Sequence, residues 1–86
     1  MPSIHSSVDL VENLLTPRQT QVAQAYAKHG SAPAVADVLA ISLETVRSHV
    51  KAIQQRTHQR SMLKALLVLI AKGIITNPFA SDNMST

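Results

Sequence analysis

Arg47, Ser48 and Lys51 are the residues of this 86-residue chain whose types and spacing point most directly to chemistry. A guanidinium is a planar fork of donors, an ammonium is a compact positive charge, and a hydroxyl both donates and accepts. On one side of a helix, such groups suit phosphate oxygens and the base edges exposed in a duplex groove. Their surroundings agree. Residues 47–72 carry six basic side chains (Arg47, Lys51, Arg56, Arg60, Lys64 and Lys72) together with His49 and His58, and no carboxylate. Residues 1–46 carry two basic side chains and four acidic ones, so the net charge of +3 originates in one segment. An acid-free basic stretch of that length is the electrostatic footprint of a polyanion partner.

Other chemistries lack their residues. His5, His29, His49 and His58 show no His-x-x-x-His or His-Glu-x-x-His spacing, and there is no Cys, so no metal site is expected. Two glycines, Gly30 and Gly73, cannot make a phosphate-cradling loop. Asp9 and Glu12 are an isolated pair of acids. The expectation is a protein that is not an enzyme and takes no cofactor. The aromatics are Tyr26 and Phe79 alone, too few for a base-stacking platform that binds single strands. The apolar run 65–71 stops at Lys72, well short of the roughly 18 residues of a membrane span. No basic-then-apolar leader opens the chain. A cytoplasmic protein with no membrane partner is therefore expected.

The elements that must position the basic groups read as all-α. Thr16-Pro17-Arg18-Gln19 is a helix start: Thr16 caps, Pro17 takes the first position, and Gln19 completes a capping box. Val22, Ala23, Tyr26 and Ala27 give that helix its apolar stripe, and Gly30 ends it. Ser31 caps a short second helix with Pro33 in its first turn and Val35, Ala36, Val38 and Leu39 as apolar positions. Ile41-Ser42 breaks the pattern. Ser42 caps a third helix, about 43–57, with Glu44 at the positive end of the dipole. Val46, Val50 and Ile53 form its buried face, while Arg47, Ser48, Lys51, Gln54 and Gln55 face away. The polar run 57–61 reads as a loop before a fourth helix, about 62–72, stopped by Gly73. Two short helices joined by a tight turn, the second basic on its outer face, form a helix-turn-helix.

At this point the chain resembles the LuxR/FixJ/GerE-type DNA-binding domain. Leu15-Thr16-Pro17-Arg18-Gln19 matches its opening Leu-Thr-x-Arg-Glu. The segment from Ile41 to Ile53, Ile-Ser-Leu-Glu-Thr-Val-Arg-Ser-His-Val-Lys-Ala-Ile, matches its recognition pattern Ile-Ser-x-x-Thr-Val-Lys-x-His-x-x-x-Ile. Ala65 and Lys72-Gly73-Ile74-Ile75 match its end. The resemblance implies a four-helix bundle over residues 15–76 whose third helix enters the major groove and whose last helix dimerises. It makes Arg47, Ser48 and Lys51 base readers and Thr45, His49 and Gln55 phosphate neighbours. Arg18, Ser31, Arg56 and Arg60 are weaker phosphate candidates. His49 has a second reading, as a scaffold residue bridging helices. The chain departs from the family pattern at Ala32-Pro33, where Asn-Lys is usual. It departs again at Ala34 for Glu, Thr57 for Leu and Met62 for Arg.

The fourth helix is apolar nearly all round, although a surface helix needs one apolar stripe. Met62, Ala65 and Leu69 can face the core, and Leu66 is a candidate for either the core or the outer stripe. Leu63, Leu67 and Ile70, with Leu66 beside them, make a second stripe suited to a two-fold homodimer. An alternative cover is the N-terminal extension, residues 1–14, whose Val8, Leu10, Val11 and Leu14 are spaced for a short helix. Residues 77–86 read as a disordered tail. The function this predicts is a bacterial transcription regulator that binds double-stranded DNA. Two other readings share the scaffold: a protein-interaction module that sequesters another regulator, and a sigma-factor region-4-like domain that binds RNA polymerase.

Overall fold

The structure, a computed structural model, describes residues 14–79. It holds four helices: α1 (Pro17–His29), α2 (Ala32–Leu39), α3 (Leu43–Thr57) and α4 (Met62–Ala71). Every one of them starts at a hydroxyl. Thr16 Oγ1 accepts from Gln19 N (3.1 Å) while Gln19 Oε1 accepts from Thr16 N (3.0 Å), the reciprocal pair of a capping box. Ser31, Ser42 and Ser61 each accept from the backbone N–H three residues on, at 3.3, 3.0 and 3.1 Å. Each such bond satisfies a donor that the first helical turn leaves orphaned.

The stops are left-handed residues. Gly30 (φ 84°) closes α1, Ala40 (φ 57°) closes α2 and His58 (φ 59°) closes α3. Past the end of α4, Gly73 (φ 76°) turns the chain so that Ile74 N–H donates to Leu69 O (2.9 Å). Ala40 and His58 are the costly ones, because each carries a Cβ that crowds the backbone in this conformation. Ala40→Gly is expected to stabilise the domain by about 0.5–1 kcal/mol, raising its melting temperature by several degrees in a thermal denaturation scan. An unchanged or lower melting temperature would show that the turn is not strained.

α1 packs on α2 and α3, α2 packs on α3, and α4 rests on α3. Helix α3 is thus the hub. The shared core is aliphatic: Leu15, Val22, Ala23, Val35, Val46, Ile53, Met62, Ala65, Leu66, Leu69 and Ile75. Two corrections to the sequence reading follow. Leu66 is 7% exposed and belongs to this core rather than to the outer stripe. Val38 was an apolar position of the short second helix, yet it stands 53% exposed.

Thr57, at the junction of α3 and its loop, is buried. Its hydroxyl donates to Ile53 O (2.8 Å), so the hydroxyl where the resembled pattern has Leu is satisfied inside its own helix. The C-terminal segment is fastened by one residue of α1. Gln24 donates to Thr76 O (2.9 Å) and accepts from Thr76 N (3.0 Å). Beyond it, Asn77 Oδ1 accepts from Phe79 N (2.9 Å). Residues 1–13 and 80–86, with the leading helix and most of the tail read from sequence, lie outside the described residues.

Candidate nucleic-acid interface

Helix α3 has two opposed faces. Successive residues turn by roughly 100°, so Val46, Val50, Ile53 and Thr57 fall on one side. Val46, Ile53 and Thr57 are buried, and Val50 packs against them half-buried. On the other side Arg47, Ser48, Lys51 and Gln55 are all exposed. Anchoring the inner face fixes the direction in which the outer groups project.

The helix start is shaped by Ser42 and Thr45, whose hydroxyls lie 2.8 Å apart while Ser42 also caps Thr45 N. Thr45 is exposed at the rim, with its hydroxyl hydrogen-bonded to that of Ser42. His49 is half-buried, on the border between the two faces. At the far end Lys51, Gln54, Gln55, His58, Gln59 and Arg60 line an open depression. Its geometry depends on Gln54, whose side chain donates to Arg60 O (3.1 Å) and whose carbonyl accepts from Gln59 N (2.9 Å). Gln54 thereby positions the loop that carries Arg60, a role the sequence reading did not give it.

The remaining candidates lie apart from the outer face of α3. Arg56 is exposed, near the C-terminal end of the helix. Arg18, in the first turn of α1, is exposed and donates to Gln21 Oε1 (2.6 Å). Ser31 is half-buried and uses its hydroxyl as the α2 cap. Among the described residues no cluster of His, Asp and Glu could hold a metal ion. No helix among them is long and apolar enough to cross a membrane. On α4, Leu63 and Leu67 are 67% and 57% exposed and Ile70 is half-buried. Leu14 lines a groove with Val68 and Ile74, and residues 8–13, the alternative cover for the stripe, are outside the described residues.

A four-helix scaffold holding a helix-turn-helix, with a basic outer face on the second of its two helices, is the arrangement of DNA-binding regulatory domains. Comparison with protein families bears this out and narrows it. Residues 13–69 match the family GerE, bacterial regulatory proteins of the luxR family. The chain belongs to that family of DNA-binding regulators. Comparison with curated proteins gives no match, and neither does comparison with solved structures.

Proposed function

We propose that the chain regulates transcription by laying α3 in the major groove of duplex DNA. In this reading Arg47, Ser48 and Lys51 reach base edges, and Thr45, His49 and Gln55 lie against phosphates. Arg18, Ser31, Arg56 and Arg60 add backbone contacts at the margins. The observation that carries it is the division of α3 into a buried apolar face and an exposed face bearing Arg47, Ser48 and Lys51, inside a stretch with no acid. Fluorescence anisotropy on random-sequence duplex DNA at two salt concentrations tests it. Binding that weakens steeply with salt is expected, since each neutralised phosphate contributes a slope of about −0.9 in log K against log salt. No binding even at low salt would overturn the reading.

We further propose that two chains pair through α4. Leu63 and Leu67 stand exposed on the helix that rests on α3, which supports an interface there. Pairing would fix the separation of two α3 helices, and half-sites for such dimers lie about 34–36 Å apart. In sedimentation equilibrium the wild-type chain is expected to dimerise, and Leu63→Glu/Leu67→Glu to be monomeric with an unchanged fold. That variant is also expected to bind a two-half-site duplex at least tenfold more weakly. A wild-type monomer at every concentration would instead favour a different regulator as the occupant of these leucines.

A further inference from the structure

We infer that Glu44 selects a cytosine in the operator, an inference that rests on α3 being the groove-entering helix. Glu44 is exposed in the first turn of α3, two residues after the Ser42 cap. At roughly 100° per residue it lies between Arg47 and Ser48 around the helix, and close to the directions of Lys51 and Gln55. The carboxylate is therefore in the middle of the basic face, one turn nearer the N-terminus than Arg47. A helix that presents Arg47, Ser48 and Lys51 to DNA must present Glu44 with them.

A carboxylate there is unfavourable unless it meets a donor. It accepts hydrogen bonds and donates none when ionised, and phosphates repel it. The donors on the floor of the major groove are the amino groups of cytosine and adenine. Adenine sets its amino group beside the N7 acceptor, which repels a carboxylate. Guanine shows two acceptors, and thymine shows an acceptor and a methyl group. Cytosine alone offers a donor with no acceptor of its own beside it, and carboxylate acceptance from its N4 is an established pairing. Recognition helices make their base contacts from the N-terminal part, where Glu44 sits. Arg47, three residues on, is about 4.5 Å further along the axis. That is close to the roughly 3.4 Å step between base pairs. Glu44 on cytosine and Arg47 on guanine thus read the same or neighbouring pairs.

The competing explanation is that Glu44 only complements the positive end of the helix dipole. Selection from randomised duplexes, run with the wild-type chain and with Glu44→Gln, separates the two. The wild type is expected to recover sites with one position held as cytosine. Glu44→Gln is expected to lose preference at that position by about tenfold while keeping the others, and to bind random duplex several-fold more tightly. The same selected positions with equal discrimination in both proteins would overturn the inference. So would a uniform loss of affinity in Glu44→Gln, which would mean that Glu44 acts by holding Arg47. A wild-type chain that recovers no duplex at all overturns the DNA reading itself, and this inference with it.

Discussion

Replacing Arg47 and Lys51 together by alanine is expected to weaken binding to a specific duplex by on the order of a hundredfold or more. A good bidentate base contact is worth about 1–3 kcal/mol of discrimination, and each lost phosphate contact adds to that and makes the salt slope shallower by about one. The fold is expected to survive, because both side chains are exposed and neither contributes to the core. Affinity should therefore fall while the melting temperature stays within a few degrees of the wild type. A change in affinity of less than threefold, with DNA still bound, would place the contact surface elsewhere on the domain.

Ile53→Ala probes the other face of the same helix. Ile53 is fully buried and among the largest such side chains in the domain. Truncating it removes apolar burial and leaves a cavity, at a cost of about 2–5 kcal/mol. Domains of this size are stable by only about 5–15 kcal/mol, and each kcal/mol corresponds to roughly 4–8 °C. A fall in melting temperature on the order of 10–30 °C is expected. DNA binding at low temperature should persist, since the outer face is untouched when the chain is folded. A melting temperature within a few degrees of the wild type would mean that this core adapts without loss. The two variants together separate holding α3 from using it.

Much of this arrangement was legible in sequence because its signals are local. Thr16, Ser31 and Ser42 each precede a helix by one residue, and the bonds they make span three residues; Ser61 caps α4 in the same way but reads in sequence as part of the polar loop. The two faces of α3 follow from one helical period. What escaped the reading is not local or not periodic. Ala40 ends α2 in a left-handed conformation that composition does not announce, since Gly is the usual marker. Leu66 could not be assigned to core or stripe because α4 is apolar around most of its circumference. Thr57 continues the 46, 50, 53 spacing of the buried face, but a hydroxyl at such a position reads as a loop residue until its partner, Ile53 O, is seen. Gln54 and Gln24 act on backbone groups several or many residues away, and nothing in either residue's neighbours specifies the partner. Glu44 was read as a dipole partner, whereas its place in the middle of the basic face gives it a second consequence.

The hydroxyl caps also bear on how quickly the domain assembles. Each helix carries its own start signal, and most of the packing joins helices that follow one another, α1 on α2, α2 on α3 and α3 on α4, with α1 also reaching α3. A helical bundle of this kind is expected to fold on the microsecond-to-millisecond scale. The Gln24–Thr76 clasp joins residues 52 positions apart. Closing that span costs chain entropy that pays off only once the helices are packed. The clasp is therefore expected to close late, and weakening it is expected to speed unfolding more than it slows folding.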